Sequence, residues 1–301
     1  MVTGGGSGIG LMAAQALAIN GARVYIVGRT GDKLKAAAAV HSQNIAGEII
    51  PLIGDVSDKK KIMYGPSQPQ RLFTLMISQL LTPCLYSLLV KEIEACESCL
   101  HILVNNAGIF TAGQRTPSPG CSAEKIRENL FDTDTATFDD WEFIYRTNTA
   151  SLYFMTIAFV PLLARAANDA FTPAVVNITS INGLIRRSLG HFAANSAKAA
   201  AIHVTKMLAT ELAAAGQRIR VNSVAPGVFP SEITTGKPAD PVNANKSHLP
   251  AGSWGTAEIM VGRPGSDFDM AGAVLFVATN QYLHGQIISL DGGYLVQHGT
   301  L

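Results

Sequence analysis

A doubly wound parallel α/β sheet in a single domain is the fold class this chain predicts, and three observations predict it. Short β-branched runs alternate with longer Ala-rich ones, the pattern of repeated strand-helix-strand units. Several short runs are apolar without alternation, as strands are when helices cover both faces of the sheet. A glycine cluster, Gly4-Gly5-Gly6-Ser7-Gly8-Ile9-Gly10, stands where the first strand should turn into the first helix.

The elements follow in order. Only Val2 precedes the turn at Thr3, whereas a strand usually has about five or six residues. The first strand is therefore expected to be truncated, leaving its neighbours' edges open and the chain less stable than one extended at its N-terminus. A helix over 9–20, a strand over 23–27 (RVYIV), a helix over 33–41 and a strand over 48–52 (EIIPL) come next. Further strands are expected at 101–105, 174–179, 219–224 and 286–290, with helices over 139–166, 192–215 and 267–279. Asp132, Asp134, Asp139 and Asp140 lack the Gly and terminal Glu of a calcium loop and read as caps of the 139–166 helix.

The segment 62–88 interrupts this pattern. It carries prolines followed by an apolar run, and a loop of that length is uncommon. Codons for Leu80-Leu81-Thr82 can contain CTAAC, and those for Pro83-Cys84-Leu85-Tyr86-Ser87 can end in TACAG, a fungal-type branch site and 3′ splice site. The segment thus reads as an insertion or a retained intron. Within it, 72–90 approaches the roughly 20 residues of a membrane span, but Pro83, Thr74, Ser78, Gln79, Thr82 and Ser87 dilute it, and no membrane partner is expected.

Composition narrows the function classes. The 301 residues are 48% apolar and 15% charged, enough for one large core. Lys plus Arg number 23 against 22 Asp plus Glu, a net charge of +1, which argues against a nucleic-acid partner and against a polybasic membrane surface. Four cysteines are no disulfide framework and, with no secretory signal pattern at the start, suggest a reducing, cytoplasmic location. Cys96-x-x-Cys99 and His101 lack a second ligand pair, so no metal is expected.

The chemistry sits in the turns. Gly4, Gly8 and Gly10 let a pyrophosphate approach the main chain, while the helix they open offers free N–H groups and a partial positive charge. Ser7 and Ile9 complete that cofactor-binding turn. After the next strand comes Arg29, where an NAD site wants a carboxylate and an Arg can pair a 2′-phosphate. NADP(H) is the expected cofactor.

Taken together, Thr3-Gly4-x-x-x-Gly8-x-Gly10, Asp55-Val56, Asn105-Asn106-Ala107-Gly108, Asn177-Ile178-Thr179-Ser180, Pro226-Gly227 and Asp291-Gly292-Gly293 occur in the order seen in the short-chain dehydrogenases/reductases. The chain resembles the ketoreductase-type members of that family over nearly its whole length. The resemblance implies a Rossmann-type fold, an oxidoreductase that moves hydride between NADP(H) and the carbonyl or alcohol of a small organic molecule, a role in specialised metabolism, and a homo-oligomer paired through the long helices. It implies that Asp55 faces the adenine amino group, that Asn106 lines the adenine ribose and braces the sheet, and that Val228, Ser231 and Thr234 lie near the carboxamide or pyrophosphate. Ser180 matches the residue that hydrogen-bonds substrate oxygen, Lys198 the one that grips the nicotinamide ribose, and Asn148 the one that supports a water relay. The segment 230–262 matches the substrate lid, and Arg186-Arg187 lies in the loop where substrates approach, to be read as a solvated pair or, as the alternative, a grip for an acidic or carrier-linked substrate.

One family feature is broken. The expected Tyr, four residues before the Lys, is Ala194 in His191-Phe192-Ala193-Ala194-Asn195-Ser196-Ala197-Lys198, and Ser180 keeps its family spacing fourteen residues before it. An Ala donates no proton, and general acid catalysis supplies about 10²–10⁴-fold. Either another group, such as His191 or a water on Lys198, acts at a reduced rate, or the residue is a sequence error, or the chain is an impaired NADP(H)-binding relative.

Overall fold

The computed structural model describes residues 1–58, 88–240, 244–250, 252 and 259–300. Residues 62–87 of the 62–88 segment, and most of the apolar run within it, lie outside the described residues. In chain order the elements are β1 (Val2–Thr3), α1 (Gly8–Ile19), β2 (Arg23–Gly28), α2 (Gly31–His41), β3 (Glu48–Ile53), α3 (Leu88–Cys96), β4 (Ile102–Asn105), α4 (Ala123–Leu130), α5 (Phe138–Tyr145), α6 (Ser151–Ala166), β5 (Ala174–Ile178), α7 (Phe192–Ala214), β6 (Arg220–Pro226), α8 (Glu232–Thr235), α9 (Asp267–Thr279), β7 (Ile287–Leu290) and α10 (Tyr294–His298). The strands form one parallel sheet in the order β3-β2-β1-β4-β5-β6-β7.

Every expected strand is present, and β1 is as short as the sequence indicates. The edges on either side of it are not wholly open. Val2 and Thr3 pair with Ile26 and Val27 of β2, and Val2 with Val104 of β4. Met1 lengthens the ladder: its amino group donates to Ile102 O at 2.8 Å, and its carbonyl accepts from Val104 N at 2.8 Å. The Thr3 hydroxyl accepts from the amides of Asn106 (2.9 Å) and Ala107 (3.0 Å), tying the turn after β1 to the end of β4.

Successive strand residues point to opposite faces, so each strand feeds two cores. Leu103, Val175 and Val221 pack with Phe159, Leu162 and Leu163 of α6 and Leu208 and Leu212 of α7. Val104, Val176 and Ile26 pack with Leu11 and Leu17 of α1 and Met270, Val274 and Val277 of α9. This double burial explains the unbroken apolar runs in β4 and β5. A buried polar line crosses the first core: Asn105 Nδ2 donates to Thr156 Oγ1 and Asn177 Oδ1, and Asn177 Nδ2 donates to Thr205 Oγ1, each at 3.0 Å. These bonds fix β4 and β5 against α6 and α7, since leaving any of these buried groups unpaired costs about 1–3 kcal/mol.

The expected helix over 139–166 runs unbroken from Phe138 to Ala166 and contains one irregular turn. Residues Arg146–Ala150 form a π-helical turn between α5 and α6, a widening often found at functional positions. Thr137 caps α5 by accepting from Asp140 N at 3.1 Å, with Asp139 and Asp140 in the first turn. By length and composition the continuous stretch Phe138–Ala166 could cross a membrane, yet half of its most apolar window is buried inside the domain.

Candidate active site

A cavity of about 680 Å³ opens at the carboxyl ends of β1, β2, β4, β5 and β6. The sheet order reverses between β1 and β4, the switch point at which such folds take ligands. Its walls include Gly4, Ser7, Gly8, Ile9, Arg29, Asp55, Asn106, Ser180, Lys198, Val228, Ser231 and Thr234. The fold thus brings together nearly all the residues singled out in the sequence. Gly10 and Asn148 stand behind the wall rather than in it.

At one end the glycine turn is shaped for close backbone approach. Gly4 and Gly8 have φ of +65° and +52°, where side chains are strained. A Cβ on Gly10 would come within 2.2 Å of Gly4 O and 2.4 Å of Asn106 Nδ2, so Gly10 acts by packing the turn, not by touching a ligand. Asn106 Nδ2 donates to Thr3 O (3.0 Å) and Gly4 O (3.2 Å), bracing the turn. Arg29 is exposed at the mouth of the cavity. Asp55 Oδ1 accepts from the Ser57 amide (3.0 Å) and hydroxyl (2.6 Å), which holds the carboxylate in the cavity wall. Ser231 and Thr234 cap α8 reciprocally, and the Thr234 hydroxyl donates to Phe229 O at 2.7 Å.

At the other end, Ser180 caps a 3-10 turn, Ile181–Gly183, by accepting from Asn182 N at 3.1 Å, and its hydroxyl lies 3.5 Å from Pro226 O. Lys198 Nζ, on α7, donates to Ile178 O at 3.1 Å. Burial pulls this ammonium down to about 8, because charge is disfavoured away from water. Asn148 occupies the π-helical turn, and its amide donates to Ile109 O (2.9 Å) and accepts from Ile109 N (2.8 Å). Gly108 lies between the two functions: a Cβ there would stand 3.3 Å from Asn148 Oδ1 and 3.7 Å from Lys198 Nζ.

Ala194 is only 3% exposed and packs with Ile144, Ala193 and Ala197 against Ile109, Phe110 and Tyr145. It contributes no polar atom to the site. His191 does line the cavity, with its ring 4.4 Å from that of Phe110 and its pKa lowered by burial. Arg187 lines the cavity, whereas Arg186 turns away to donate to Thr300 O at 3.1 Å. Two buried acceptors in the same wall, Thr147 Oγ1 and Asn195 Oδ1, have no hydrogen-bond partner.

Sequence reasoning missed Lys33 and Glu232. Both line the cavity, and Lys33 Nζ meets Glu232 Oε1 at 2.6 Å although the residues are 199 positions apart. Nothing local to either residue signals that pairing.

The chain's likenesses agree with this architecture. Residues 86–295 match the family model described as enoyl-(acyl carrier protein) reductase, and residues 1–67 match the short chain dehydrogenase model. The short-chain dehydrogenase/reductase PhomF of Diaporthe leptostromiformis is 31% identical over 300 residues, covering 98% of this chain and 90% of that protein. The rhamnolipids biosynthesis 3-oxoacyl-[acyl-carrier-protein] reductase of Pseudomonas aeruginosa is 30% identical over 98% of this chain and 94% of its own length. Among solved structures, the Pseudomonas aeruginosa RhlG/NADP active-site complex superposes with a TM-score of 0.70 at 27% identity, covering 97% of this chain and 94% of that one. In sheet order, switch-point cavity and sequence, the chain belongs to the short-chain dehydrogenase/reductase family.

Proposed function

We propose that this chain binds NADP(H) and works on the carbonyl or alcohol group of a small organic molecule. One observation carries the reading: a single cavity joins the glycine turn and Arg29 to Ser180 and Lys198. The residues fit the cofactor, since the turn leaves a cradle that Cβ atoms would fill and Arg29 suits a 2′-phosphate. Asp55, Asn106, Val228, Ser231 and Thr234 line the remaining wall along which the nucleotide would lie. Bound NADPH would supply hydride to a carbonyl carbon. Ser180 then donates a hydrogen bond to the substrate oxygen as it gathers charge, and the Lys198 ammonium holds the ribose hydroxyls. Asn148 fixes the 108–109 backbone beside Lys198, the position from which a water chain would be ordered.

The proton is the weak point. With a methyl group at position 194, it arrives by way of His191 or a water on Lys198, at a reduced rate. A second reading, an NADP(H)-binding protein with little turnover, is favoured by the apolar enclosure of Ala194. The rhamnolipid relative supports a role in specialised metabolism, and Arg187 in the wall suits a carrier-linked or acidic substrate. Exposed Trp141, Tyr153, Phe154 and Met207 on the outer faces of α5, α6 and α7 support a homo-oligomer. We retain 230–262 as the substrate lid and 62–88 as an insertion or retained intron. The family-model matches stop at 67 and resume at 86, and the mature transcript decides the point.

The test is NADPH titration followed by NADPH oxidation with a short 3-oxoacyl thioester. Saturable binding with slow oxidation is expected. Binding without oxidation selects the second reading, and no binding refutes both.

A further inference from the structure

Ser7 stands at the N-cap of α1 in extended conformation, where a Ser side chain ordinarily accepts an N–H from the first turn. Its hydroxyl makes no such bond. It donates instead to Glu232 Oε2 at 3.0 Å. The other oxygen of Glu232 accepts from Lys33 Nζ at 2.6 Å and from Ala239 N at 2.8 Å. A hydroxyl, an ammonium and a main-chain amide converging on one anion are the donors by which proteins hold phosphate. Burial raises the Glu232 pKa, but Lys33, the Ala239 amide and Ser7 together outweigh it and hold the group below its ordinary value.

The carboxylate therefore sits as an anion in the wall of a cavity whose glycine turn and uncapped helix N-terminus are suited to a different anion. Two anions sharing these donors in a half-buried cavity repel each other. We propose that Glu232 is a built-in competitor for the nucleotide's phosphates. In the free protein it occupies the Ser7 hydroxyl and the Lys33 ammonium, and it must give them up when NADP(H) binds. The Ser7 contact is relinquished to any dinucleotide, whereas the Lys33 contact is relinquished to a 2′-phosphate, so Glu232 sets both the affinity and part of the cofactor preference. The proposal rests on the nucleotide reading above. It adds that a carboxylate next to the phosphate loop opposes binding, where a merely structural carboxylate would support it by positioning Lys33.

The experiment is a fluorescence titration with NADPH and with NADH, at fixed ionic strength, of the full chain, Glu232→Gln, Lys33→Met and the double variant. Glutamine keeps the size of the side chain and an oxygen for the Ala239 amide, so the fold is retained, and circular dichroism checks it. Glu232→Gln is expected to bind NADPH about three- to tenfold tighter, the range of an exchanged, partly exposed charged contact, and to gain less for NADH. In the Lys33→Met background the NADPH gain should shrink to that seen with NADH, which isolates the coupling. Unchanged or weaker NADPH binding by Glu232→Gln would overturn the proposal, and an equal gain for both cofactors would overturn the role of Lys33. If neither the parent chain nor Glu232→Gln binds either nucleotide, the nucleotide reading itself fails, an outcome distinct from binding that Glu232 does not oppose.

Discussion

At the glycine-turn end of the cavity each contact has a partner: Asn106 braces Gly4, Thr3 ties β1 to β4, and Gly10 packs against Gly4 O. At the Ser180 end the positioned hydroxyl and the buried ammonium are present, but the place between them in sequence holds a methyl group enclosed by Ile109, Phe110 and Tyr145. Folding and binding constrain the first end, because a Cβ on Gly10 would collide with the Gly4 carbonyl and Gly4 and Gly8 hold positive φ. At the second end position 194 holds a residue that packs well but offers no proton, so the fold is kept while the family's acid is missing. A protein of this design can lose turnover and keep its ligand.

The most direct way to break that contrast is Ala194→Tyr. A phenol there should raise NADPH oxidation by about 10²–10⁴-fold, the usual contribution of a general acid, with nucleotide affinity little altered. An unchanged rate with binding intact would locate the acid elsewhere. At the opposite end, Gly10→Ala should lower stability by about 1–3 kcal/mol through overpacking and abolish tight NADPH binding, readable in thermal melts and titrations. Arg29→Ala should weaken NADPH about tenfold, or ~1.4 kcal/mol, and leave NADH unaffected; a matching loss for NADH would remove Arg29 from 2′-phosphate recognition.

The smallest expected effect concerns Lys198. Folded, this group holds its proton up to about 8, whereas unfolded it does so to about 10.4. Over that window the unfolded chain binds more protons, so this residue's contribution makes stability rise with pH. NADPH affinity should instead fall as pH rises through about 8, because the ammonium is lost. Lys198→Met should flatten both slopes, and persistence of either would assign it to another group.

Much of the sheet was legible because double burial writes itself into sequence: the runs at 102–105 and 174–178 are apolar at every position except Asn105 and Asn177. The glycine turn was legible because close backbone approach restricts residue type. The π-helical turn at Arg146–Ala150 was not, since its residues RTNTA carry no Gly or Pro and differ little from an ordinary helix. Nor was the Ser7–Glu232–Lys33 cluster, whose members meet only once the sheet has formed. The sequence pointed to Ala194 as a missing acid, but not to its packing against Ile109 and Phe110, which come from a different loop and themselves line the cavity.

The two-residue strand β1 carries a consequence for the order of assembly. Its partner on one side, β2, arrives about two dozen positions later, but the contact from Met1 to Ile102 on its other side spans 101 positions. As the chain leaves the ribosome, β1 can dock on β2 early and must then wait, one flank bare, until β4 emerges. Such long-range closure is slow, and a bare flank in a growing chain invites adhesion to other chains. Yield from a cell should therefore depend on synthesis rate and chaperone supply more steeply than the finished domain's melting temperature would suggest.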